Sequence, residues 1–79
     1  MNMQFNSMLS VILVPQILGI IEEKEGLDDM EALNEFYNSK TYEVLSDEET
    51  KVWHYSALTI YMMWKEEKET GKLVFPEEQ

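Results

Sequence analysis

His54 is the side chain best suited to acid–base or metal chemistry, because it is the only histidine in the chain. A nucleophilic triad needs a serine held against its histidine base, and Ser56, two residues further on, does not predict that geometry. A zinc site needs several ligands at recognisable spacing, and the chain has no cysteine and no second histidine to supply them. We therefore interpret His54 as a packing or hydrogen-bonding residue, and we predict no catalytic residue, no cofactor and no metal site.

The sixteen carboxylates are the most numerous reactive groups. Paired carboxylates act as general acid and base when their surroundings push their pKa values apart. Here they occur at predicted helix ends and among lysines, as in 22–25, 47–49 and 66–69. We interpret them as helix caps and solvated surface. The alternative is that they recognise a basic partner.

The charge balance limits the partners of the chain. The net charge is −10, with six lysines and no arginine. No cationic cluster is present to displace the counterions of a nucleic acid or to bind an anionic membrane. Three glycines do not form a phosphate-binding loop. These features predict a protein that is not an enzyme and that binds neither nucleic acid directly nor a membrane.

The aromatic residues offer a candidate binding surface. In a helix over 57–64, Ile60 and Trp64 share one face while Leu58 and Met62 point elsewhere, so the helix is apolar on most sides. A chain of 79 residues has few elements with which to surround such a helix. The aromatic and apolar residues of this region therefore either all belong to the core, or form the core together with a surface for a partner. The candidate protein-interaction surface comprises Tyr37, Tyr42, Trp53, His54, Tyr61 and Trp64.

Three to four helices are predicted to position these residues, within a single mainly α domain over 1–79. They span about 15–25, 28–38, 40–46 and 57–70. Pro15 suits a first helical position and Gly26 the position after a helix end. Asp28 and Glu31 have the spacing of a capping box, and Gly71 stops the last helix.

Three features of this arrangement stay open in the sequence. Residues 8–14 are rich in β-branched side chains and precede a proline, so they fit either a strand or an extension of the first helix. The last helix starts either near Asp47 or, after a break, at Ser56. A minor two-stranded pairing of 52–54 with 73–75 is a further possibility.

The ends of the chain, 1–7 and 76–79, are predicted to be frayed. The apolar segment 8–21 suggests a signal or membrane sequence, but no cation precedes Lys24. The segment is also shorter than the roughly 20 residues that span a bilayer, and Pro15 and Gly19 interrupt it. We therefore expect a cytoplasmic protein in which this segment is core.

Two strings, FYNSKTY at 36–42 and DEETKVWH at 47–54, are similar to those of a family of small bacterial proteins of unknown function. The resemblance runs from about Leu13 to Pro76. Members of such families are often encoded beside a larger partner and suspected of being antitoxin-like. The resemblance implies that the chain has relatives of this kind and a partner encoded by a neighbouring gene. It assigns no catalytic residue to this chain.

The sequence thus predicts a non-enzymatic protein-interaction module, antitoxin-like or regulatory. Its aromatic surface around Trp53, Tyr61 and Trp64 would dock a partner protein, and its carboxylates would steer a basic one. Two other classes compete with this hypothesis. One is an acidic mimic of nucleic acid that inhibits a nucleic-acid-binding protein. The other is a self-associating structural protein that forms a homodimer.

Overall fold

A continuous run of helical backbone begins the computed structural model, which describes residues 3–76. It consists of α1 (Met3–Ser7), a π-helical segment (Met8–Leu13) and α2 (Val14–Glu25), here together called the N-terminal helix. Pro15 has no N–H to donate and would clash with the carbonyl four residues earlier. The wider π turn, in which the Val14 N–H donates to the Leu9 carbonyl, accommodates this proline within the helix. The open question about 8–14 is thereby resolved in favour of helix.

The first described residues belong to the fold. Residues 3–7, predicted to be frayed, are helical. Phe5 is buried, and its ring meets that of Trp53 edge to face at 5.9 Å. Residues 1 and 2 of the same predicted frayed segment lie outside the described residues, as do 77–79 at the other end.

Side-chain caps define the next helices as predicted. The N-terminal helix ends at Gly26, whose φ of 70° is left-handed. In α3 (Asp29–Tyr37), the Asp28 carboxylate accepts the Glu31 N–H at 2.9 Å and the Glu31 carboxylate accepts the Asp28 N–H at 3.1 Å. The predicted capping box is confirmed. Ser39 caps α4 (Lys40–Leu45) by accepting the Tyr42 N–H.

Two short 3-10 turns separate α4 from α5 (Ala57–Thr70), at Glu48–Thr50 and Val52–His54. Lys51 between them has a positive φ of 61°, which breaks any continuous helix over 47–70. Ser56 instead caps α5 by accepting the Thr59 N–H at 3.1 Å. The last helix therefore starts after the break, which confirms the second of the two predicted starts.

The possible pairing of 52–54 with 73–75 is wrong. Residues 52–54 form the second 3-10 turn, and 73–75 have no regular structure. The turn uses local bonds: His54 N–H donates to the Lys51 carbonyl and Tyr55 N–H to the Val52 carbonyl, both at 3.0 Å. These local bonds hold 52–54 in a turn rather than in the extended backbone that a ladder needs.

The core lies between the N-terminal helix, α5 and the short elements that connect them. Ile17, Ile21, Phe36, Leu45 and Ile60 are fully buried. The described chain is helical without strands, so the predicted mainly α class is confirmed. One stretch, Gln4–Glu25, is long and apolar enough to cross a membrane by length and composition alone. It also supplies six buried residues of the core: Phe5, Leu9, Leu13, Val14, Ile17 and Ile21.

Candidate functional site

Two of the six candidate surface residues belong to the core. Trp64 is 2% exposed, and the Lys68 ammonium lies 5.1 Å from the centre of its ring. Tyr61 is 7% exposed. The expected docking surface around Trp53, Tyr61 and Trp64 is therefore wrong in two of its three members. The reason is that the N-terminal helix and α4 cover the side of α5 on which they lie.

Tyr61 instead takes part in a polar bridge between α5 and the end of α2. Its hydroxyl donates to the Glu25 carboxylate, and the Lys65 ammonium donates to both oxygens of that carboxylate at 2.9 and 3.0 Å. The Tyr61 and Lys65 hydrogen bonds together hold the pKa of Glu25 below its usual range. Burial is the main cause that raises the pKa of Tyr61. These groups are committed to one another, so the bridge has a structural role.

Trp53 and His54 lie in the second 3-10 turn. Trp53 is half-buried, and its indole N–H donates to the Glu48 carbonyl at 2.9 Å. His54 is exposed, with its ring 5.5 Å from that of Trp53. Within residues 3–76, no group of three His, Asp or Glu side chains is arranged to hold a metal ion.

Tyr37 and Tyr42 form a stacked pair at the corner between α3 and α4. Their ring centres are 4.5 Å apart, and the Phe36 ring supports Tyr42 from the core side at 5.6 Å. Burial raises the pKa of Tyr42 above its ordinary value of 10.0. Tyr37 is exposed, and the pair lines a shallow depression that Glu43 borders. The six candidate residues are thus divided between the core, this corner and the 3-10 turn.

The most exposed apolar side chains are ones that the candidate set did not include. The first group, here called the N-terminal stripe, lies on the N-terminal helix. Val11 is 71% exposed and Ile12 54% exposed. Their neighbours on that face are half-buried Met8 and exposed Pro15 and Gly19. The N-terminal stripe comprises Met8, Val11, Ile12, Pro15 and Gly19.

The second group, here called the Met62 groove, lies between α5 and the tail that follows it. Met62 is 59% exposed, and Val74 and Phe75 are about half exposed. The groove is lined by Thr59, Met62, Met63, Glu66, Val74, Phe75 and Pro76. Met62 also borders an adjoining depression with Lys65, Glu66 and Glu69.

The two surfaces differ in charge. Glu66 lines the Met62 groove and Glu69 lies one turn further along α5. By contrast, residues 4–21 of the N-terminal helix carry no charged side chain. The signal for both surfaces was present in the sequence, because each helix is apolar on more than one side. Which side stays exposed is decided by the packing of the other elements.

The comparisons with known proteins found no match of this chain to a family model, to a curated protein or to a solved structure.

Proposed function

We propose that this chain is a non-enzymatic protein-interaction module of the cytoplasm that binds a basic protein through the Met62 groove. The observation that carries the proposal is the exposure of Met62, Val74 and Phe75 around one groove. These side chains lie outside the core, to which α5 already contributes Ile60, Met63 and Trp64. Exposed apolar side chains gathered in one place are typical of an interaction site.

The side chains of the groove suit a protein segment. Methionine is flexible and polarisable, so Met62 can adapt its shape to an incoming apolar side chain. Methionine and aromatic residues are enriched in the buried centres of protein interfaces. Phe75 follows Val74 on a tail without regular structure, so the tail can shift to admit a partner.

The charges around the groove favour a basic partner. Glu66 lies in the groove and Glu69 near it, and the whole chain has a net charge of −10. Lys65 does not neutralise Glu66, because its ammonium contacts Glu25 and Glu69. A field of one sign accelerates the encounter with a partner of the opposite sign. The family resemblance adds that this partner would be larger and gene-paired, and that the module would be antitoxin-like or regulatory.

Site-specific photo-crosslinking in the native cells tests this proposal. A photoreactive phenylalanine analogue replaces Met62 in one variant and the exposed Glu43 of α4 in a control variant. We expect position 62 to give one dominant adduct with a basic protein, and position 43 to give none with that protein. Adding Glu66→Lys and Glu69→Lys should weaken the adduct. The absence of an adduct at position 62, or the same adducts from both positions, would contradict the proposal.

A further inference from the structure

We propose that two copies of this chain associate through the N-terminal stripe, with their N-terminal helices antiparallel about a twofold axis. Met8, Val11 and Ile12 line one depression, and Pro15 and Gly19 follow Val11 at four-residue intervals, so the stripe lies along one side of the helix. The opposite side is fully used, because Leu9, Leu13 and Ile17 are buried in the core. The stripe is therefore a second apolar face, and Val11 on it is the most exposed large hydrophobic residue in the described chain.

Gly19 is an independent observation on the same face. It is helical and exposed, and a Cβ atom built on it would have no neighbour within 4 Å. Glycine destabilises a helix interior relative to alanine, so its presence needs a reason. Neither backbone conformation nor packing within the single chain gives one. The close approach of a second backbone does give one, because only glycine leaves room for it.

The absence of charge on the stripe suits a second copy as its occupant. Two molecules of net charge −10 repel one another over most of their surfaces. The stripe lies in residues 4–21, which carry no charge, so two copies can meet there without burying a carboxylate. A basic partner would gain no electrostatic attraction from this face, whereas the Met62 groove offers it one.

The charges at the end of the helix fix the antiparallel direction. Glu22 follows Pro15 by two turns and extends the line of the stripe, and the carboxyl of Asp29 lies near its own. Parallel helices would bring two such carboxyl pairs together. Antiparallel helices place the two pairs at opposite ends of the helix pair. The two pairs are then separated by roughly 30 Å, because about twenty helical residues lie between them along the axis.

The same geometry gives a register. With the axis passing between Val11 and Ile12, Val11 of one copy lies against Ile12 of the other. Met8 then lies against the flat ring of Pro15. The backbone at Gln4 approaches Gly19, where the missing side chain leaves space.

Sedimentation equilibrium of the purified full chain tests the dimer. We use concentrations from about 10 µM to about 500 µM, because one helix pair falls at the small end of interface sizes. The wild-type mass should rise with concentration from 9.4 kDa towards twice that value. Ile12→Glu and Gly19→Leu should each weaken association at least about tenfold, the first by burying a carboxylate and the second by blocking close approach. Leu58→Glu, at an exposed apolar position on α5, is the matched control and should leave association unchanged.

A mixing experiment tests the register. Val11→Lys and Ile12→Glu should each be monomeric alone, and an equimolar mixture should form heterodimers in which the lysine meets the carboxylate. A wild-type chain that stays monomeric throughout would overturn the proposal, as would variants that associate like wild type. Failure of the mixture to associate would overturn the antiparallel register. A monomer that floats with phosphatidylcholine vesicles, and loses this with Ile12→Glu, would assign the stripe to a bilayer instead. None of these results depends on the Met62 groove.

Discussion

Glu67 on α5 caps the N-terminus of α4 through Thr41, which lies 26 residues earlier in the chain. One Glu67 oxygen accepts the Thr41 N–H at 2.9 Å and the Thr41 hydroxyl at 2.8 Å. The other oxygen accepts the Lys40 N–H at 2.8 Å. Thr41 is the one fully buried polar residue in the described chain. A single carboxylate therefore satisfies the start of α4 and fixes it to the helix that carries the Met62 groove.

Removing this cap should destabilise the fold. Glu67→Ala leaves the buried Thr41 hydroxyl and N–H without their acceptor, which should lower the free energy of unfolding by about 2 kcal/mol. Urea denaturation followed by circular dichroism measures the change. The neighbouring Glu66→Ala removes the same charge from an exposed side chain, and its effect should stay within about 0.5 kcal/mol. Equal effects of the two variants would argue against the cap.

The bridge between Glu25, Tyr61 and Lys65 should make stability depend on pH. Because its hydrogen bonds lower the pKa of Glu25 in the folded state, the carboxylate stabilises the fold above its ordinary value of 4.5. This stabilisation is lost as the pH falls through the lowered pKa. Glu25→Gln should therefore unfold more easily than wild type at pH 7, and the difference should shrink towards pH 3. Urea midpoints across this range measure it.

Glu22 provides a control for which the change of stability with pH should have the opposite sign. Its hydrogen bond to Asp29, burial and repulsion by Asp29 and Asp28 raise the pKa of its carboxyl. A raised pKa means that the contribution of Glu22 to stability is present at low pH and is lost as the carboxyl ionises. Glu22→Gln should therefore increase stability at pH 7 and lose this advantage towards pH 3. The same pH profile for both variants would contradict the assignment.

At two glycines where an added Cβ atom would have no neighbour, substitution by alanine should change the stability in opposite directions. Gly19→Ala should stabilise the chain by about 0.5 to 1 kcal/mol, because glycine is unfavourable in a helix interior. Gly26→Ala should destabilise it by about 1 kcal/mol, because Gly26 has a φ of 70°. Thermal unfolding at a concentration where the chain is monomeric measures both. Effects of the same sign would show that backbone conformation does not distinguish the two sites.

Phe5 tests whether the first described turn is part of the fold. Phe5→Ala removes a buried ring that contacts Trp53, and it should cost about 3 kcal/mol. Exposure of Trp53 should also shift its fluorescence to longer wavelength. A frayed segment, as the sequence alone predicts for 1–7, would instead give no change in stability or emission.

The helix boundaries could be predicted because they depend on neighbouring residues. Asp28 with Glu31, Ser56 before α5, and Gly26 and Gly71 after their helices are local signals, and the structure uses each of them. The π-helical segment before Pro15 could not be predicted. Local preferences there favour extended backbone, and burial of Leu9 and Leu13 overrides them.

The candidate surface was harder to predict than the helices, because periodicity does not show which face of an apolar helix is covered. Tyr61 and Trp64 are covered by elements distant in sequence, whereas Met62 between them is left exposed. Aromatic residue type alone favours Tyr61 and Trp64 over Met62 as interface residues, but burial depends on position as well as on residue type. Tyr37, by contrast, is exposed at a helix corner, as expected for a surface residue.

Affinity capture from native cells tests most directly the central claim, that the chain binds a basic protein through the Met62 groove. Tagged wild-type chain, Met62→Lys and Glu43→Lys are compared by quantitative mass spectrometry. Met62→Lys places a cation in the groove, whereas Glu43→Lys makes a larger charge change on α4. We predict that wild type and Glu43→Lys enrich the same basic protein and that Met62→Lys loses it. Retention of that protein by Met62→Lys, or enrichment of no protein by wild type, would contradict the claim.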